Sequence, residues 1–260
     1  TACGNVGTTV IDSVWSEQNY EVLVVEISSF QIHWMQDAEF AAAAIINIAD
    51  DHADWHGSFE NYRAAKRKLL EFTKVGVING QDRLLAESVA SWNGKKIFFT
   101  LDTPKPGEVG LVEDLLIDRA FNSNPSEAGL IAELNEVYPT VPHSVANTLA
   151  AAALALSVGA DINSLRNAIA NYKPGRHRLE LVLEKDGVKW INDSKATNPH
   201  AAQAAIFANE KCIWIAGGLA KGAKFAELIE RCHKRIGAAI LIGTDRDLIE
   251  VELKKFGIET

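Results

Sequence analysis

The sequence predicts an α/β protein with mostly parallel sheets, laid out as two successive domains. Three observations point there. Short apolar runs of strand length alternate with segments of helical spacing along most of the chain, the pattern of repeated βαβ units. One stretch, "YKPGRHR" (172–178), breaks that alternation with Pro174 and Gly175 and marks a boundary, giving domains 1–175 and 176–260. Hydrophobic residues make up 47% of 260 and charged residues 23%, enough apolar material for one large core or two ordinary ones.

Taken in order, "EVLVVEI" (21–27), "AAIINI" (43–48), "VGVIN" (75–79) and "KKIFFT" (95–100) read as strands. Between the second and third lies a helical pattern at 58–72, and between the third and fourth another at 81–92. Residues 101–142 are rich in Pro, Gly and Asn around short apolar pieces, so short strands or hairpins are expected there. The alanine-rich run 144–159 is a strong helix closed by Gly159, and a shorter one follows at 161–171. "LELVLEKDGVKWIN" is a hairpin turning at Asp186-Gly187. Helix 199–208, strand 211–217, helix 223–235, strand 238–243 and helix 245–256 then resume the alternation.

Composition narrows the function classes. A net charge of −8 argues against a nucleic-acid partner. No apolar run approaches the ~20 residues of a membrane span, and the start lacks the regions of a signal peptide. Cys3, Cys212 and Cys232 are scattered without metal spacing, so the reducing cytoplasm is the expected location. The chain opens at Thr1 and its single methionine is Met35, so it is expected to be a piece of a longer protein.

Ligands of parallel sheets bind beyond the carboxyl ends of strands. "VVEISSFQ" (24–31) and "NIADDHADWHG" (47–57) follow two such ends and present Glu26, Asp50, Asp51, His52 and Asp54. Asp50, Asp51 and Asp54 are better read as turn formers and caps. Glu26 and His52 are better read as ligands of a divalent ion, because a carboxylate ending a buried strand needs a counter-charge. In the helix after them, Lys66 shares a face with Tyr62, Leu69 and Leu70 at i−4, i+3 and i+4, which turns a lysine inward. A snorkelling side chain is the ordinary explanation.

"WINDSKATNP" (190–199) carries Asn192, Asp193, Ser194, Lys195, Thr197 and Asn198 ahead of Pro199, which suits the first position of a helix. Free N–H groups, the helix dipole and Lys195 make an anion site there, whereas Thr197 or Asn198 as a simple cap explains only one of these residues. "GGLAKGAKF" (217–225) fails as a phosphate loop, since Ala223 stands where the motif needs lysine; Lys221 is either solvated or holds an anionic substrate.

"VVEISSFQ", "DDHADWHGSFENYRAAK", "GRHRLE" and "WINDSKATNP", in this order and spacing, resemble the Mur ligase family over essentially the whole chain. The resemblance implies a central P-loop-like ATPase domain whose glycine-rich loop would lie just before Thr1, followed by part of a Rossmann-like domain. It implies addition of D-glutamate to UDP-N-acetylmuramoyl-L-alanine through an acyl phosphate formed with ATP, in a cytoplasmic enzyme that is monomeric when complete. The 260-residue chain alone is expected not to run the reaction.

For the site, the resemblance implies that Glu26 and His52 bind Mg²⁺ and that Lys66 is carried as a carbamate. A CO₂ adduct would turn an inward-facing cation into an anionic metal ligand. Asn5, Ser28 and Gln31 match positions near the muramoyl substrate. His143 and Asn147 match the adenine-nucleotide segment, Arg178 the arginine at the phosphates, and Asp193 the acidic residue at the nucleotide. Lys195, Thr197 and Lys221 match contacts to D-glutamate or residues that order the site. Ser144 and Leu219 depart from the family pattern, where asparagine and, in some members, aspartate are expected. The competing expectations are a sibling amide ligase or folylpolyglutamate synthase, and a non-catalytic nucleotide-binding module.

Overall fold

Every apolar run picked out in the sequence contains a strand in the computed structural model, which describes residues 1–49, 51–122, 124 and 126–260, without the side chains of residues 53 and 54. Two units form, Thr1–Ile97 and Phe98–Thr260.

The first unit begins with β1 (Ala2–Gly4), α1 (Val10–Val14) and β2 (Val24–Glu26). β1 and β2 pair in parallel as a two-stranded sheet with Gly4 opposite Glu26. α2 (Ser29–Trp34), β3 (Ala43–Ile45) and α3 (Ala53–His56) follow, then α4 (Phe59–Arg67), which tightens into a 3-10 turn at Lys68–Phe72. β4 (Val75–Asn79) pairs in parallel with β3, α5 (Arg83–Ser88) comes after it, and β5 (Lys95–Phe99) crosses the boundary between the units. Ser58 caps α4 and Asp82 caps α5, each accepting the N–H three residues on. Leu69, Leu70, Val77, Ile78 and Leu85 form the core of this unit, all below one-tenth exposed.

One expectation fails here. The strand before Glu26 is not buried: Val24 is 61% exposed and Glu26 is itself exposed. Among the described residues β2 pairs with β1 alone, so the apolar run is one edge of a ribbon. Glu26 therefore keeps its water, and no desolvation forces a counter-charge on it.

In the second unit, β5 pairs in parallel with β6 (Glu108–Val112) at Phe98 and Phe99, and β7 (Leu115–Asp118) and β8 (Gly129–Glu133) continue antiparallel. α6 (Pro142–Ser157) starts with proline at its first position and is followed by Gly159 at φ 85°. α7 (Ile162–Asn171) is capped by Asp161. The hairpin β9 (Glu180–Lys185) and β10 (Val188–Asn192) turns where the sequence placed it, with Asp186 and Gly187 both left-handed at φ 53° and 75°.

α8 (Pro199–Phe207), β11 (Cys212–Gly217), α9 (Ala226–Cys232), β12 (Ile236–Ile242) and α10 (Arg246–Lys254) complete the chain, with β11 parallel to β12. One face of that pair packs Trp214, Ala216 and Leu241 against Leu228, Ile229 and Leu253 of the helices. The opposite face leaves Ile213, Ile215, Ile240 and Ile242 more than half exposed. Parallel strands ordinarily carry cover on both faces.

Gly217 sits at φ 141°, where a Cβ would overlap the carbonyl oxygen of Ile242, while a Cβ on Gly218 at φ 113° would meet nothing. Gly217→Ala should thus lower unfolding stability by more than about 3 kcal/mol, and Gly218→Ala by only about 1–2 kcal/mol, the cost of strained backbone without a clash. Urea unfolding midpoints at unchanged slope measure the difference.

Candidate active site

In the first unit three segments meet. The chain leaving β2 places Glu26 just ahead of α2, where Ser28 caps the helix in a capping box. Gln31 N–H donates to Ser28 Oγ at 3.3 Å, and Ser28 N–H donates to Gln31 Oε1 at 2.9 Å. Asn5 N–H donates to the Glu26 carbonyl at 2.8 Å, so its backbone borders the same corner. Any side chain on Gly4 would collide with that carbonyl.

His52 lies before α3 with left-handed backbone at φ 52°. Its N–H donates to Asp51 Oδ1 at 2.9 Å, and its ring stands edge-on to Phe30 at 4.9 Å. Asp50 falls outside the described residues, as does the side chain of Asp54.

α4 brings Lys66. Tyr62, Leu69 and Leu70 on its face are buried, and Lys66 is partly buried with Nζ 5.3 Å from the centre of the Tyr62 ring. The His52 ring lies 6.2 Å from the same ring. Burial lowers the Lys66 pKa from its ordinary 10.5, while Asp51 and then Glu26 act to raise it. The Tyr62 hydroxyl is pushed up to about 12, first by burial and then by Asp51. Glu26, Asp51, His52, Tyr62 and Lys66 thus share one electrostatic neighbourhood. Among the described residues, no three His, Cys, Asp or Glu side chains are grouped closely enough to hold a metal ion.

The second unit gathers His143, Arg178 and Asp193. Burial lowers the His143 pKa, with Asp193 opposing, and burial raises the Asp193 pKa, opposed by a hydrogen bond and by His143 and Arg178. Asp193 Oδ1 accepts the N–H of Leu179 at 3.0 Å. Arg178 stands between two left-handed residues, His177 at φ 66° and Leu179 at φ 46°. His177 is fixed by Glu180 Oε2, which accepts its N–H at 2.8 Å, and by the Asn192 side chain at 2.8 Å from its ring. Lys195 N–H donates to the His177 carbonyl at 3.1 Å, and the Lys195 side chain is exposed. Asn147, one turn beyond His143 on α6, is exposed.

Asn198, not Thr197, caps α8, accepting the Ala201 N–H at 2.8 Å; Thr197 is exposed. Lys221 occupies a tight turn closed by Ala223 N–H to the Ala220 carbonyl, and Asp245 anchors that turn through the Ala220 N–H at 2.7 Å. Leu219, a departure from the family pattern, is 69% exposed.

Residues 5–155 match the Mur ligase middle domain, and residues 177–256 match the Mur ligase, glutamate ligase domain. The chain belongs to the Mur ligase family. It is 47% identical over 251 residues to the UDP-N-acetylmuramoylalanine--D-glutamate ligase of Thermobifida fusca, covering 94% of this chain and 54% of that protein. To the ligase of the same name from Streptomyces coelicolor it is 44% identical, covering 99% and 56%. The chain therefore spans about half the length of these relatives. Among solved structures, MurF from Acinetobacter baumannii matches with a TM-score of 0.68 at 17% identity over 88% of this chain and 53% of that one. MurF ligase from Thermotoga maritima in complex with ADP matches at 0.63 and 19% over 96% and 59%. Those two show the fold.

Two features of this Mur ligase chain escaped the sequence reading. The S-x-x-Q spacing inside "VVEISSFQ" is the signal of the capping box that Ser28 and Gln31 form. The left-handed pair around Arg178 has no glycine to announce it.

Asp193 holds this loop through an acceptor oxygen that asparagine retains and alanine lacks. Asp193→Ala should speed hydrogen exchange at the Leu179 amide at least about tenfold, the loss of one hydrogen bond to a charged group of about 1.5–3 kcal/mol, and Asp193→Asn should change it far less. Amide exchange followed by NMR reads both.

Proposed function

We propose that the protein carrying this chain is an ATP-dependent ligase that joins D-glutamate to UDP-N-acetylmuramoyl-L-alanine in the cytoplasm. The observation that supports the reading is that Asp51 and Glu26 act electrostatically on the Lys66 amine, while Lys66 and the His52 ring each lie near the Tyr62 ring. The names of relatives at 42–47% identity support the choice of substrates. A terminal carboxylate oxygen attacks the γ-phosphorus of ATP and ADP leaves; the D-glutamate nitrogen then attacks the acyl carbon and phosphate leaves. The proposed domains are 1–175 and 176–260, supported by family matches that end at 155 and begin at 177. The complete protein is proposed to act as a monomer.

Glu26 and His52 are the proposed Mg²⁺ ligands, with Lys66 as a third once carbamylated. Bound Mg²⁺ neutralises charge that builds up on transferring phosphoryl oxygens. Burial lowers the Lys66 pKa and so favours the modification, because only a neutral amine adds CO₂. His143 and Asn147 are assigned to the adenine end of the nucleotide, and Arg178 and Asp193 to its phosphate and sugar side. Lys195, Thr197 and Lys221 are assigned to the incoming amino acid and to ordering the site, and Asn5, Ser28 and Gln31 to the muramoyl substrate. The capping box uses the Gln31 carbonyl oxygen and leaves its amide NH₂ to donate.

Phosphate release by the complete protein should require ATP, UDP-N-acetylmuramoyl-L-alanine and D-glutamate together, and Lys66→Ala should reduce it at least about 100-fold. Consumption of L-alanine or a diamino acid in place of D-glutamate would overturn the assignment. With ¹³C-bicarbonate, the chain should show one carbamate carbon signal that Lys66→Arg removes. The adduct needs the neutral amine, so it declines as pH falls through the lowered pKa of Lys66. It should persist to lower pH than an adduct on a free lysine, whose pKa is about 10.4.

A further inference from the structure

His56 is buried at 8% exposure, and nothing in the proposed chemistry uses it. Its Nε2 lies 3.0 Å from Oγ of Ser29, which is buried at 5%. These two residues belong to the two segments that carry the proposed metal ligands: Ser29 follows Glu26 by three residues, and His56 follows His52 by one helical turn. The turn itself is closed by His56 N–H donating to the His52 carbonyl at 3.0 Å. A third segment touches the same ring, since Tyr62 of α4 lies 5.3 Å away, one turn ahead of Lys66. Phe30 stacks on His56 at 5.7 Å and meets the His52 ring at 4.9 Å with its edge. One buried imidazole thus contacts all three segments that bear Glu26, His52 and Lys66.

We infer that His56 is a positioning residue, and that its hydrogen bond to Ser29 fixes the Phe30 wall against which the His52 ring is aimed. The inference deepens the proposed function by adding a residue that sets the site without touching substrate. The physical reason is the cost of alternatives. Sliding the α2 and α3 segments apart would break a hydrogen bond between two buried side chains, which opposes that movement. The backbone of His52 is left-handed and has little intrinsic preference for the conformation it holds.

The test uses the 260-residue chain and reads ring protons of His52 by NMR, which report the neighbouring Phe30 and Tyr62 rings whether or not Lys66 is modified. In Ser29→Ala and His56→Ala the His52 ring signals should move toward positions free of the Phe30 and Tyr62 ring currents, while methyl signals of Val77 and Ile78 stay in place. His56→Gln, whose amide can still reach Ser29, should restore the wild-type positions. Unchanged His52 signals in Ser29→Ala would overturn the inference, and so would His56→Gln behaving like His56→Ala. If His56→Ala fails to fold, Ser29→Ala against Ser29→Thr, which keeps the hydroxyl, decides the matter alone. Failure of the carbamate reading would appear in the ¹³C-bicarbonate experiment and leave these ring signals unaffected, so the two outcomes are separable.

Discussion

An amine deprived of water must lose its proton or find negative charge, and Lys66 is placed where both pressures act. Burial pushes its pKa down, and Asp51 and Glu26 push it back up. Tyr62 beside it shows the same two influences in the other chemical sense, with burial and Asp51 both disfavouring its ionised form. The first unit is arranged so that three segments arrive at this point. Glu26 comes off an exposed two-stranded ribbon, His52 off a left-handed turn, and Lys66 off the apolar face of α4. A helix face that buries Tyr62, Leu69 and Leu70 carries its lysine inward with it, because i−4, i+3 and i+4 lie on one stripe.

The fold was legible wherever an element was long enough to show a period. The helices at 59–67, 142–157 and 162–171 appear within a few residues of their expected places, and Asp186-Gly187 announced its turn through the two left-handed positions such a turn requires. What escaped was short. α1, α2 and α3 have four to six residues, less than two turns, and a helix that brief owes its existence to caps and packing instead of periodicity. The burial of the 21–27 run was misjudged for a related reason. An apolar run says that a strand can be buried, but the neighbour that would bury it is a tertiary fact.

The site divides along the same line. That Lys66 points inward could be read from spacing on one helix. That it lies near the Tyr62 ring beside His52 and feels Asp51 could not, since this brings α4 together with the segment ahead of α3, which no periodicity within one element reveals. Ser28 and Gln31 carry a local role that their spacing also announces, the capping box, beside the substrate contact the resemblance implies.

Non-glycine residues in the left-handed region fall into two groups among the described residues. Glu113, Asp186 and Lys221 lie in tight turns between elements, where such backbone is ordinary. His52 and Leu179 do not, and together with His177, which lies in the turn ahead of β9, they sit at or beside the residues assigned to metal and phosphate. Each is restrained in one way: a carboxylate oxygen, from Asp51, Glu180 or Asp193, accepts its backbone N–H. Left-handed strain costs about 1–3 kcal/mol per residue, and a hydrogen bond to a charged group returns about 1.5–3 kcal/mol, so the two nearly cancel. Strained display of His52 and Arg178 is therefore sustained locally by charge and does not draw on the core. The carboxylates near the candidate site then hold backbone. Removing one of them would disturb the position of its neighbours as well as the local potential, and a loss of activity on substituting Asp51 or Asp193 would not by itself assign either residue to the chemistry.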